Sequence, residues 1–250
     1  MAPVVGVILF LTAIHYLNFL ARMALAPLLP LIENDLGLGH AAASSLFLFI
    51  SVGYCAGVLA SGFVAATLTH RHNITLSALL TGAALAGAGL SNSLWFMRLC
   101  LLAMGAAAGL YFPSGVTVVT TLANPRHWGK ALGIHELAPS LGLVSAPLVA
   151  VALLGHTSWR GMLLLIGGCL AAVGLFNARF GPGSRIRSQM PDPTILLKII
   201  RQPSIWILTA LLSLAIGAVM GVYAILPLYL VSERGMDSFS ANLILSLSRI

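Results

Sequence analysis

Long apolar runs, separated by charge, proline, glycine or asparagine, occupy residues 4–31, 41–67, 74–91, 95–121, 131–154, 161–178 and 203–231. An eighth begins near Ser240 and is cut off at Ile250. About 20 apolar residues in an α-helix cross the roughly 30 Å hydrocarbon layer of a bilayer, so each run is a candidate transmembrane helix. The predicted fold class is all-α, a polytopic transmembrane helical bundle truncated at about 7.5 helices. Only residues 179–202 form a long polar interval, rich in Gly, Pro, Ser and basic side chains. That interval divides the chain into a six-helix bundle at 1–180, a cytoplasmic linker at 181–202 and the start of a second bundle at 203–250. A repeat supports the division: Leu29-Pro30-Leu31 precedes Glu33, Asp35 and Gly37, and Leu226-Pro227-Leu228 precedes Glu233 and Gly235 at an offset of 197 residues. Stopping inside a helix, the sequence is expected to be a fragment of something longer.

Composition agrees with lipid as the main solvent. Hydrophobic residues make up 59% and charged residues 8%, against about 25% charged in soluble domains. A net charge of +7 would suggest nucleic acid only if the basic residues shared one wet surface. They sit instead between apolar runs, so no nucleic-acid partner is expected. Cys55, Cys100 and Cys169 fall inside apolar runs and imply neither a disulfide framework nor a metal site. Ala24-Leu25-Ala26 has the look of a signal-peptide cleavage site, but no Lys or Arg precedes the first run and the run is too long for a signal.

Alternate loops differ in charge. One set holds Arg71, Arg126, Lys130, Arg179, Arg185, Arg187, Lys198 and Arg201, and the other only Arg160 and Arg234. Cytoplasmic loops carry the excess of Lys and Arg, which puts the first set and the N-terminus inside, with a bacterial inner membrane as the expected location.

Several local patterns point to one family. Gly105-Ala106-Ala107-Ala108-Gly109-Leu110-Tyr111-Phe112-Pro113 resembles the small-residue, Pro-ended fourth helix of the major facilitator superfamily. Gly142-Leu143-Val144-Ser145-Ala146-Pro147 resembles its Gly-rich fifth-helix motif, with Ala146 in place of the usual Gly, and Trp159-Arg160 resembles the common start of helix six. One departure stands out in the loop between helices two and three. After Gly62 the family's Asp is replaced by Ala66 and its second Gly by Thr69, and only His70 and Arg71 keep the basic end. Gly105 and Gly109 also have a purely physical reading, as small residues that let transmembrane helices approach closely.

Ionisable groups inside membrane spans cost a few kcal/mol each and persist where they meet a partner or a wet cavity. On the first helix His15, Asn18 and Arg22 fall within about 60° of one another at 100° per residue, forming one polar face near the midplane. The alternative is an Arg that snorkels outward and a His satisfied by nearby backbone. Arg22 stands eight residues before Pro30, a spacing similar to that of the substrate-binding Arg in organophosphate/phosphate antiporters. Their matching Arg on helix seven falls at Val219 here, so a singly charged organic anion is the expected cargo. Glu136 and His135 begin the fifth helix and are candidates for proton coupling, although adjacent residues point about 100° apart. Glu136 has a competing reading as an interfacial acid near Lys130 or at the helix N-terminus. Tyr54, Tyr111 and Tyr223 are candidate hydrogen-bonding groups of a cavity, Arg98 a snorkelling anchor, and His70-Arg71-His72 a topogenic loop with no metal site implied.

The resemblance implies a secondary carrier of a small solute, working by alternating access with ion coupling or exchange. Its expected partners are the solute, a coupling ion and the bilayer, with no cofactor and a monomeric state. Neither a Walker-type phosphate loop nor a Gly-x-Ser-x-Gly or His-Glu-x-x-His motif is present, so ATP-driven pumping and familiar hydrolase chemistry lack support. A membrane-embedded enzyme or a non-transporting sensor on a similar scaffold is the alternative. With one bundle and only the beginning of another, these 250 residues alone are expected not to transport.

Overall fold

A computed structural model describes residues 2–183, 187–190 and 192–249. Arg185, counted above for orientation, and Ile250 lie outside the described residues. The α-helices among the described residues are α1 (Ala2–Met23), α2 (Leu25–Leu36), α3 (His40–Thr67), α4 (His70–Gly89), α5 (Leu94–Gly109), α6 (Tyr111–Leu122), α7 (Trp128–Leu154), α8 (Trp159–Phe180), α9 (Pro193–Ile200), α10 (Pro203–Ser232) and α11 (Ser238–Leu247).

Proline accounts for the two places where one expected span is divided. Pro27 lacks an N–H and its ring crowds the carbonyl of Met23, and the helix breaks there, between α1 and α2. Pro113 does the same to Gly109, between α5 and α6. At the end of α2, Gly37 takes the left-handed conformation (φ 60°), and Leu38 N–H donates to Glu33 O at 2.9 Å, closing a Schellman cap.

Among the described residues six stretches are long and apolar enough to cross a membrane: Val4–Leu36, His40–Thr67, Leu94–Leu122, Pro125–Leu154, Trp159–Phe180 and Pro203–Ser232. The third expected span, 74–91, corresponds to α4 and is absent from that set because α4 carries buried Asn73, Thr75, Ser77 and Thr81. Much of that polarity is answered inside the protein, while Thr81 Oγ1 and Asn73 Oδ1 are buried without a partner. Asn73 Nδ2 donates to Ser114 Oγ (2.7 Å) and Leu110 O (3.0 Å), Ser77 Oγ to Ala107 O (2.7 Å), and Asn177 Nδ2 to Thr75 Oγ1 (2.9 Å). α4 is wedged between α5 and α8, α3 packs on α5, and α1 packs on α7.

At the basic end of α4 the loop that departs from the family pattern has its own fastening. Arg71 donates through Nε to Asn177 O (3.1 Å) and through Nη2 to Ala178 O. Ser188 N–H donates to Ala65 O (3.0 Å), and Ser188 Oγ lies 3.3 Å from His70 Nε2. Ser188 is thus tied to the ends of both α3 and α4. Farther on, the interval expected as a polar linker contains α9, which Asp192 caps through Thr194 N–H (2.8 Å) and Pro193 initiates.

Candidate functional site

A cavity of about 640 Å³ lies among α1, α3, α7 and α10. Of the residues expected to form a site, His15, Arg22, Tyr54, Glu136 and Tyr223 line it. The Arg22 guanidinium lies 4.1 Å from the centre of the Tyr54 ring and 4.9 Å from that of Phe19. Its Nε is buried without a hydrogen-bond partner. Among the described residues the ion pairs are His40–Glu33, His135–Glu136 and Arg160–Asp35, so no acid neutralises Arg22 and none joins Glu136 to Lys130.

Three expected site residues lie behind the cavity wall. Asn18 is buried against α4, where its Nδ2 donates to Ser77 Oγ at 3.3 Å, so the expected polar stripe is divided: His15 and Arg22 face the cavity and Asn18 holds two helices together. Tyr111 is buried as well, donating to Leu11 O at 2.6 Å. His135 is fully buried, with Nε2 3.1 Å from Tyr111 Oη and Nδ1 3.1 Å from Glu136 Oε1. The adjacent pair on α7 was expected to diverge, yet the Glu136 side chain turns back onto His135. Glu136 remains about half-exposed on the cavity side. Pro139 lies one turn on and frees the His135 carbonyl from its helical bond.

The His15 ring stacks on His135 (centroids 4.5 Å apart) and on Tyr111 (5.2 Å), and its buried Nδ1 has no hydrogen-bond partner. Donor atoms of His15, His135 and Glu136 lie within 4.8 Å of one another, a grouping the sequence did not reveal. The two imidazole planes are only 24° from parallel, so their in-plane lone pairs run past each other. A metal cage, by contrast, needs lone pairs meeting at one point.

Other charged groups are tied elsewhere. Arg98 donates to Ser45 Oγ (2.7 Å) and lies over Trp95, as an anchor would. Arg160 pairs with Asp35 at 2.8 Å and also donates to the carbonyls of Gly89 and Ser91. Sequence reasoning missed Arg249, beyond α11, whose Nη2 donates to Val219 O (3.3 Å) and whose guanidinium lies 5.4 Å from the Tyr223 ring. It does not line the cavity.

A bundle of helices long and apolar enough to cross a membrane, enclosing a cavity with charged groups on its wall, defines a polytopic helical protein. The Major Facilitator Superfamily profile matches residues 11–250, and the chain belongs to that family. An uncharacterised MFS-type transporter of Mycobacterium tuberculosis (strain ATCC 25618 / H37Rv) is 24% identical over 234 residues, covering 93% of this chain and 53% of the relative. The probable L-galactonate transporter of Escherichia coli (strain K12) is 25% identical over 171 residues, 68% of this chain and 37% of the relative. The chain spans about half the length of the curated relatives it matches. A bacterial homologue of the human lysosomal transporter Spinster, solved inward-facing and unoccupied, superposes with a TM-score of 0.79 at 19% identity, covering 96% of this chain and 58% of that one. Family and relatives are transporters, not enzymes.

Proposed function

We propose that this chain forms the anion-binding half of a proton-coupled secondary carrier for a small, singly charged organic anion. The observation that carries the proposal is Arg22, a cation in the main cavity with no acid paired to it. Such a charge is costly at membrane depth unless a ligand or water answers it. The probable L-galactonate transporter among the relatives is named for an organic acid, which supports the same reading. Glu136, on the same cavity, is the coupling carboxylate, with His135 beside it. Transport proceeds by rocking a six-helix unit at 1–180 against a second unit that begins near 203, joined by the linker 181–202. The protein is a multi-pass monomer of a bacterial inner membrane with its N-terminus and basic loops cytoplasmic.

Apolar side chains dominate the rest of the wall. From α10 it receives Ile216, Met220 and Ala224, and from the first unit Phe19, Phe47 and Phe112. The anion's uncharged part is accordingly apolar. The test is uptake of radiolabelled monocarboxylates into proteoliposomes by the protein expressed from its complete gene, driven by an inward proton gradient. Saturable accumulation that an uncoupler abolishes is expected. Accumulation indifferent to the uncoupler would refute proton coupling, and no uptake of any monocarboxylate would refute the anion assignment.

A further inference from the structure

Helix α8 ends at Phe180 and α10 begins at Pro203, and both are among the stretches long and apolar enough to cross a membrane. A chain that leaves the bilayer through one span and re-enters through the next keeps the residues between them on one face. α9 lies in that interval, and its eight residues rise only about 12 Å, far short of the roughly 30 Å hydrocarbon layer. It therefore stays at the surface from which α10 departs. Trp206, in the first turn of α10, donates its indole N–H to Ile200 O at 2.7 Å. That bond satisfies one of the carbonyls left open where a helix ends, and it ties the end of α9 to the start of α10.

The side chains of α9 divide by chemistry. At about 100° per residue, Ile195, Ile199 and Ile200 fall within an arc of about 140°, while Thr194, Lys198 and Arg201 occupy an arc of about 60° on the other side. The three isoleucines are 56%, 42% and 54% exposed, so the apolar face is open. Lys198 and Arg201 are exposed too, as are Arg179 at the end of α8 and Arg187 in the interval. Among the described residues no acid pairs with any of these four cations. Asp192, the only acid in the sequence of the interval, is engaged elsewhere: its Oδ1 accepts from the N–H and from the hydroxyl of Thr194, at 2.8 Å each.

From this arrangement we infer that α9 is a docking surface for anionic phospholipid. Its isoleucine face sinks to the boundary of headgroups and acyl chains, and Lys198 and Arg201 hold the lipid phosphates, with Arg179 and Arg187 adding to the positive field. A helix with one apolar face and one cationic face lies in the plane of a membrane surface in this way. Depth is already set, because only Arg201 and Gln202 separate the end of α9 from the span that enters the bilayer. Trp206, 59% exposed, stands at the same level, where indole rings settle in membrane proteins. Charge decides among occupants. A protein segment seated on the isoleucines would cover them and leave the cations unanswered, whereas a leaflet of anionic lipid answers both faces of α9 at once. The lipid thereby holds the end of the linker at the membrane surface.

The experiment measures what touches the apolar face. The protein expressed from its complete gene, with every native cysteine replaced by serine and bimane attached at Ile199→Cys, is placed in nanodiscs of phosphatidylcholine and phosphatidylglycerol. Bimane fluorescence is quenched by doxyl-labelled phosphatidylglycerol, by doxyl-labelled phosphatidylcholine at equal mole fraction, or by acrylamide from the water. Lipid quenching is expected to exceed that by acrylamide, and phosphatidylglycerol is expected to quench at least about twofold more than phosphatidylcholine. Lys198→Gln combined with Arg201→Gln is expected to bring the two lipids to parity, and Lys198→Arg to keep the preference. Each variant is checked for a monodisperse size-exclusion profile. Acrylamide quenching as strong as that of a label at exposed Gln189 would show a solvated face, and resistance to all three quenchers a face covered by protein. Either result would overturn the proposal, as would equal quenching by the two lipids before the cations are removed, or an undiminished preference after.

Discussion

A guanidinium lying on an aromatic face is held by the ring quadrupole while its edge, which carries the N–H donors, stays available. The Arg22 guanidinium lies 4.1 Å from the centre of the Tyr54 ring, and no acid is paired with it. A carboxylate can be gripped there by two parallel hydrogen bonds, a geometry that the point charge of Lys does not reproduce. Arg22→Ala and Arg22→Lys are both expected to weaken monocarboxylate binding, by roughly 2–5 kcal/mol for the alanine variant. Isothermal titration on detergent-solubilised protein checks this, and near-equal affinities for wild type and both variants would exclude the assignment. At this scale the sequence revealed which residue types were out of place in lipid, and five of the expected site residues do line the cavity. It could not reveal how α1 is rotated against α4, which turned Asn18 inward to Ser77. Nor could it show that the partner of Tyr111 is a backbone carbonyl 100 residues away, at Leu11.

Helices in lipid gain little from hydrophobic contact with each other, so close approach of backbones has to hold them together. α3 and α5 meet through Gly53, Gly57, Gly105 and Gly109. A Cβ at Gly109 would come within 2.5 Å of Tyr54 O and 2.7 Å of Val58 N, and one at Gly105 would overlap the Ile50 carbonyl. The obstructing atoms are main chain and cannot swing aside. Gly105→Val and Gly57→Val are therefore expected to separate the two helices and destabilise the protein by at least about 1–3 kcal/mol. Lower thermal midpoints and reduced monodisperse yield in size-exclusion chromatography are the readouts, and wild-type melting of both variants would count against the tight crossing. Gly133, around which a Cβ meets nothing within 4 Å, supplies the control for a glycine replaced without crowding. The small-residue pattern made the crossing legible in advance, because Gly is informative wherever a span would otherwise prefer bulk. α9 was overlooked for the opposite reason: its flanks are polar enough to resemble linker, although Asp192-Pro193 is a helix-start signal.

Helices α10 and α11 meet the preceding helices mainly at α2 and α7, and those meetings shape what the cavity admits. α10 packs on α2 and α11 on α7, with Asn242 Nδ2 donating to Pro27 O (3.3 Å) and Ser246 Oγ to Val144 O (2.8 Å). Long apolar runs foretold the helices but not this meeting, since which faces oppose one another depends on helix rotations that a one-dimensional pattern does not encode. Across the resulting cavity the polar groups are unevenly placed. His15, Arg22, Tyr54 and Glu136 lie on α1, α3 and α7, whereas α10 offers Ile216, Met220 and Ala224, and the hydroxyl of its Tyr223 is already donated to Leu143 O at 3.2 Å. A hydroxylated anion would have to bury several hydroxyls against a wall with few groups to bond them, at about 1–3 kcal/mol for each one left unpaired. One such hydroxyl already costs about tenfold in affinity at 1.4 kcal/mol. Galactonate and phenylacetate carry the same single charge and differ in what lies behind it, so their competition isolates the body of the ligand from its head group. Phenylacetate is expected to displace a bound labelled monocarboxylate at least about tenfold more effectively than galactonate. Replacing Met220 by Gln, which adds a donor and an acceptor to the apolar side, is expected to narrow that gap. Equal or stronger competition by galactonate in the wild-type protein would show that the apolar wall does not select the ligand.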